Sequence, residues 1–131
     1  MTLNGLYIAL TIVLAHCLAD WIFQNSWMAQ NKSKCNKALT VHVLVYTLTV
    51  GLVVWGSQLL APILAAKFGV EIFTLSFLWV ALNGALHWPT DYITSRINAK
   101  VGFATPNFWN FIGIDQLIHY VFMFTTAYLM T

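Results

Sequence analysis

An all-α membrane protein of four transmembrane helices in a bundle is the fold class this sequence predicts, and three observations predict it. Of its 131 residues, 60% are hydrophobic and only 8% charged, against about 25% charged in an average soluble domain. The apolar residues gather into four stretches, each near the ~20 residues that cross a ~30 Å hydrocarbon core at ~1.5 Å per residue. Every lysine and arginine falls between those stretches. Lipid demands that each backbone polar group be paired within its own segment, which removes open strands, and the stretches are too long and too uniformly apolar for barrel strands.

The first stretch runs from about Leu3 to Gln24 and the second from about Ala38 to Leu60. The third runs from about Val70 to Ile93 and the fourth from about Phe108 to Met130, and residues 1–131 form one transmembrane domain. Lys32, Lys34 and Lys37 lie in the first connection, Arg96 and Lys100 in the third, and only Lys67 in the second. Five basic residues against one place the first and third connections in the cytoplasm and both termini outside the inner membrane. The net charge of +2 is thereby explained by topology, and no basic cluster addresses nucleic acid. Glu71, at the start of the third helix, suits the positive end of the macrodipole and reads as a boundary residue.

No lysine or arginine precedes the first apolar run, so it reads as a retained span and not a signal peptide. Cys17 in that span and Cys35 in a reducing cytosolic loop read as free thiols. Trp21, Trp27, Trp55, Trp88 and Trp109 fall toward helix ends, where interfacial anchoring is the ordinary role of tryptophan. Pro89 sits between His87 and Asp91, as a tolerated membrane proline or as a kink that turns both groups toward a shared centre.

Polar groups inside lipid-soluble helices are costly, and such residues are functional by default. His16 and Asp20 lie four residues apart, one helical turn, and so share a face. The spacing returns at His87 and Asp91, and reversed at Asp115 and His119. Because successive spans alternate direction, these pairs and His42 all lie at one side of the membrane, in a band roughly 3 to 17 Å from the helix ends. Singly, each has an unremarkable explanation: His42 as an interfacial histidine, and each pair as a polar contact that fixes packing. Jointly they hold every histidine and aspartate of the chain, and packing contacts have no reason to concentrate that way.

Helical bundles build metal sites from histidine and carboxylate pairs at this kind of spacing. Three or four of these groups saturate one zinc ion, so His16, Asp20, His42, His87, Asp91, Asp115 and His119 together suggest two divalent transition metal ions. Nitrogen and oxygen donors fit Zn, Mn, Fe or Ni without choosing among them. Gln24, Asn83 and Gln116 are placed to support the ligands, or to bond between helices. The arrangement of helices one and two is repeated by helices three and four, as in membrane proteins with parallel halves around a central site.

The run His16 to Gln24, Trp27-Met28-Ala29 with Asn31-Lys32, then His42, His87 to Asp91, and Asp115-Gln116-Leu117-Ile118-His119 resembles the small bacterial and phage membrane proteins grouped as domain of unknown function 3307. It is distantly similar to YdjM-type proteins, which carry the label of membrane-bound metal-dependent hydrolases. The Trp88-Pro89 pair departs from the aliphatic residues expected inside the third motif. Residues and resemblance together lead to the expectation of a metal-dependent hydrolase acting on a lipid or a molecule at the membrane surface, with its site on the cytoplasmic side and room left for an oligomer. Two alternatives come from other classes: a divalent-metal or proton transporter, and a non-catalytic membrane interaction module, phage-encoded in one version. An oxidative di-iron enzyme is a further chemical alternative.

Overall fold

The computed structural model describes residues 2–69 and 72–130, and among these every regular element is helical. Helix α1 spans Leu3–Cys17, and Thr2 caps it by accepting from the Gly5 amide at 3.1 Å. It runs directly into a π-helical turn at Leu18–Ile22. A short helix α2, Ser26–Asn31, follows, with Asn25 accepting from the Met28 amide at 2.9 Å. Helix α3 covers Asn36–Phe68, α4 covers Phe77–Val101 with Ser76 as its cap, and α5 covers Pro106–Met130. Proline at the first position of α5 gives up an N–H that a helix start leaves unpaired in any case.

Several expected boundaries are corrected. The second helix starts at Asn36 and continues through Pro62 to Phe68, so Lys67 belongs to its last turn and not to a free connection. Leucine and alanine on both sides of Pro62 are strong helix formers, which offsets the one backbone bond that the ring removes. The helix stops where Gly69 takes the left-handed conformation at φ 66°. Its 33 residues span about 50 Å, more than a hydrocarbon core requires. The third helix runs past Ile93 to Val101, and the fourth starts two residues earlier than expected, at Pro106. Hydropathy marks where lipid-like sequence ends, and a helix can continue beyond that point. The first helix stops at Ile22, and α2 was not expected at all. Val70, the expected start of the third helix, and Glu71 lie outside the described residues, and because residues 72–76 are not helical and Ser76 caps the helix, it starts at Phe77.

Two helical segments, Leu3–Ile22 and Asn36–Phe68, are long and apolar enough to cross a membrane. With 25 residues each, α4 and α5 have the length. They fall short in hydropathy because the first carries Asn83, His87, Asp91, Arg96 and Lys100 and the second Asp115, Gln116 and His119.

The four long helices form a ring in which α1 packs on α3, α3 on α4, α4 on α5, and α5 more lightly on α1. Cross-contacts fix the directions: Tyr7 bonds Ser57 while His16 meets Tyr46, and Gln58 bonds Leu75 while Trp88 bonds Thr40, so neighbours run antiparallel. Ile12, Val50, Val54, Trp79 and Met123 fill one end of the ring. Gly84 lets α4 approach α3, since a Cβ there would collide with the Thr47 hydroxyl and lie 3.0 Å from its methyl. The opposite end of the ring is lined by polar groups.

Candidate metal centre

All seven histidines and aspartates are buried, each no more than 6% exposed. They come from all four long helices. On α4, α-helical spacing brings His87 and Asp91 to the inner face, and on α5 it does the same for Asp115 and His119. Pro89 falls between the first pair without interrupting α4. On the first helix the widened π turn carries Asp20 inward, in keeping with the frequent occurrence of such turns at functional sites.

Asp20, His42, His87 and Asp91 each offer one ligand atom to a common group. His42 Nε2 lies 3.2 Å from Asp20 Oδ1, 3.1 Å from Asp91 Oδ2 and 3.1 Å from His87 Nε2. His87 Nε2 lies 3.7 Å from each of the same two oxygens. Donors about 2.0–2.1 Å from a tetrahedral ion stand about 3.3–3.4 Å apart. The observed spacings bracket that edge.

Asp91, Asp115 and His119 form a second group. His119 Nδ1 donates to the Asp115 backbone carbonyl at 2.9 Å, so that in the neutral ring it is Nε2 that carries the lone pair. That nitrogen lies 3.7 Å from Asp91 Oδ1. Asp91 therefore belongs to both groups. Asp20 Oδ1, Asp91 Oδ1, Asp115 Oδ1 and His119 Nε2 are buried and make no hydrogen bond, and neither do the Nδ1 atoms of His42 and His87. Buried acceptors left without donors are expensive. A cation shared among the oxygens and Nε2 lone pairs satisfies them together, so the residues present fit a divalent metal.

His16 is not brought into either group. Its Nε2 donates to Gln116 Oε1 at 2.9 Å, and its Nδ1 lies 3.3 Å from the Tyr46 hydroxyl. The orientation of the Gln116 amide follows from Trp21, whose indole can only donate and lies 3.0 Å from the same oxygen. Gln116 Nε2 then donates to Asp20 Oδ2 at 2.8 Å and to Asp115 Oδ2 at 3.2 Å. One amide thus holds a carboxylate of each group with all four of its bonds made. Gln24 meets Asp20 through the backbone, donating to its carbonyl at 3.1 Å. Asn83 donates to the Trp79 carbonyl and to Thr126, and bonds between helices without touching the ligand atoms.

Two members of the cluster were not foreseen as such. Lys32, expected as a topological charge, turns inward from the end of α2 with its side chain only 14% exposed. Its Nζ donates to Asp91 Oδ2 at 2.8 Å and lies 3.8 Å from Asp20 Oδ1 and 3.4 Å from His42 Nε2. Burial alone would lower the Lys32 pKa, but the Asp20 and Asp91 carboxylates outweigh it and leave the pKa raised. The sequence signal was the Asn25 cap ahead of Trp27 and Met28: Met28 is buried, α2 packs on α3, and Lys32 follows at the end of α2. Tyr46, one turn after His42, stacks on His87 with ring centroids 3.8 Å apart. Its spacing from His42 was the available signal.

A cleft of about 340 Å³ leads from Asp20, Asp115 and Gln116 past Lys32 to Trp21, Phe103, Phe108 and Ile112. Trp88 lies away from it, bonded to Thr40 and stacked on Tyr92. Cys17 and Cys35 are free and exposed.

No curated protein and no solved structure matches the chain. A family model described as protein of unknown function (DUF3307) matches residues 8–131. The chain, with its two buried His/Asp groups joined through Asp91, belongs to that family.

Proposed function

We propose that the chain is a four-span inner-membrane protein with a dinuclear metal centre, and that it hydrolyses a lipid or a substrate reaching the membrane surface. The observation that carries this reading is the sharing of Asp91 between two buried donor groups, the arrangement of a bridging carboxylate. Asp20, His42 and His87 would complete one position, and Asp115 and His119 the other. Zinc, manganese or iron suits these donors. Two such ions would polarise an ester, amide or phosphodiester and lower the pKa of a water molecule.

The remaining residues supply orientation and access. Gln116 holds Asp20 and Asp115 at fixed separation, and Tyr46 braces His87. The cleft combines a polar floor with the apolar walls of Phe103, Phe108 and Ile112, which suits an amphiphile with its head at the carboxylates. Support for four spans comes from the outward faces: Leu10 and Leu14 on α1, Leu48 and Leu52 on α3, Leu78 and Ile93 on α4, and Leu117 and Leu129 on α5 are all exposed. Apolar side chains outside and charged ones inside is the reverse of a water-soluble bundle. The lysines of the first connection and Arg96 and Lys100 lie at the polar end of the bundle, which under the positive-inside bias makes it cytoplasmic, with both termini outside.

A transporter needs a wet route beyond the site. At the other end of the ring stand Ile12, Val50, Val54, Trp79 and Met123, which favours an enzyme closed on that side. Elemental analysis of protein purified without chelator, and again after reconstitution with Zn²⁺, Mn²⁺ or Fe²⁺, tests the proposal. About two equivalents of one metal is the expected result. A folded protein that takes up none of the three overturns it and leaves the interaction module. Iron together with oxygen consumption would instead select the oxidative alternative.

A further inference from the structure

Lys32 is the one cation inside the described cluster, and it contacts atoms that the metal reading needs. Nζ lies within 4 Å of Asp20 Oδ1, Asp91 Oδ2 and His42 Nε2, which are three of the four donors of the first group. A divalent ion among those donors would sit within a few ångströms of the ammonium, in surroundings that screen charge poorly. Both cations cannot keep the same carboxylates.

A second location is built beside the first. Lys32 also lines a cleft of about 250 Å³ formed with Ser33, Ser95 and Asn98 on one side and Phe103, Phe108 and Ile112 on the other. Asn98 is 7% exposed. Its Oδ1 and the Ser95 hydroxyl are buried and make no hydrogen bond. An unpaired amide oxygen accepts from an ammonium, and Lys32 has four methylenes on which to swing.

We propose that Lys32 is an exchangeable counter-ion of the first metal position: divalent metal displaces its ammonium from Asp91 and Asp20 into the adjoining cleft, where Asn98 and Ser95 receive it. This rests on the metal reading above. In the metal-free chain Lys32 balances the two buried carboxylates and keeps the donors assembled. Once displaced, it places a positive charge at the mouth of the cleft that leads to the site, where an anionic headgroup would approach.

The test uses the purified full chain in detergent micelles, with Zn²⁺ as the probe. Lysine acetylation is followed by mass spectrometry with and without metal, with the exposed Lys34 and Lys37 as internal references. Saturating Zn²⁺ is expected to raise the Lys32 rate at least about fivefold relative to Lys34, since the buried ion pair that withholds the amine is released. In parallel, Lys32→Gln removes the competing charge and is expected to bind Zn²⁺ about tenfold or more tightly than wild type. Asn98→Leu removes the receiving oxygen and is expected to bind it more weakly. Wild-type chain that binds Zn²⁺ with no change in Lys32 reactivity overturns the exchange and leaves the metal site standing. So does a Lys32→Gln chain that binds no more tightly. Should Lys32→Gln fail to accumulate, the acetylation ratio on the wild-type chain decides alone. Absence of Zn²⁺ binding in every folded chain overturns the metal reading and the exchange with it.

Discussion

Asp91→Asn is the substitution that separates a joined two-metal site from two unrelated polar clusters. Asp91 Oδ2 stands 3.1 Å from His42 Nε2 and 2.8 Å from Lys32 Nζ, while Oδ1 faces His119 Nε2 at 3.7 Å. Asparagine keeps the shape but offers one neutral oxygen, so it can serve one position at most. Metal content should fall from about two equivalents to one or fewer, whereas Asp20→Asn and Asp115→Asn should each remove only the ion of their own group. Stability of the metal-free chain changes too. Breaking a buried ion pair costs about 3–5 kcal/mol, and partial exposure of Lys32 with Asp20 still 3.8 Å away sets the lower end, about 3 kcal/mol. For a chain of this size that lowers the melting temperature by roughly 10 °C. The assays are elemental analysis of all three variants and thermal melting in chelator, with circular dichroism to verify helix content. Two equivalents retained in Asp91→Asn, or loss of both ions in Asp20→Asn or Asp115→Asn, refutes the reasoning.

Gln116→Ala should leave the number of bound ions unchanged but weaken binding about 10- to 100-fold, because Asp20 and Asp115 lose a shared donor; a chelator competition titration measures it. His16→Ala should act in the same weak manner, since His16 reaches the site through Gln116, while His119→Ala should remove an ion outright. Gly84→Ala pushes a methyl group into Thr47, whose hydroxyl is tied to the Val43 carbonyl at 2.8 Å, and is expected to cost about 1–3 kcal/mol in a thermal melt. Under the proposed topology, a membrane-impermeant maleimide should label Cys35 in inverted vesicles and not in intact cells; the opposite pattern reverses the orientation.

Much of this was legible in the sequence because helical spacing is a local property. Four residues are one turn wherever they occur, so the side shared by each His/Asp pair follows without knowledge of the fold. What periodicity could not supply was the rotation of each helix about its own axis. His16 and His87 occupy like positions in H-x-x-x-D motifs, yet the π turn after Cys17 sends Asp20 to the donor group and leaves His16 on Gln116. Lys32 was hidden for a different reason. A lysine in a connection satisfies the positive-inside bias wherever its side chain points, and only the bond from Lys32 Nζ to Asp91 Oδ2 shows that it turns inward. The apolar stretches end at Leu60 and Ile93, yet α3 and α4 continue to Phe68 and Val101, because the edge of an apolar stretch is not the edge of a helix.

The two hairpins therefore contribute unequally, although their motifs look alike. The second delivers His87, Asp91, Asp115 and His119 from two regular helices joined by a short turn at residues 102–105. The first delivers Asp20 and His42, and uses its longer connection to build α2 and bring in Lys32. Carboxylates that face each other in a low-dielectric interior repel, so a bundle with Asp20, Asp91 and Asp115 converging on one end needs positive charge to close. Lys32 supplies one unit of that charge, and three carboxylates leave more to be balanced. The unequal hairpins thus create the demand for cations and leave it partly unmet from within the chain. The same imbalance argues against a purely structural role: a packing contact would be better served by neutral partners, whereas an excess of buried carboxylates suits a site that takes its remaining charge from solution.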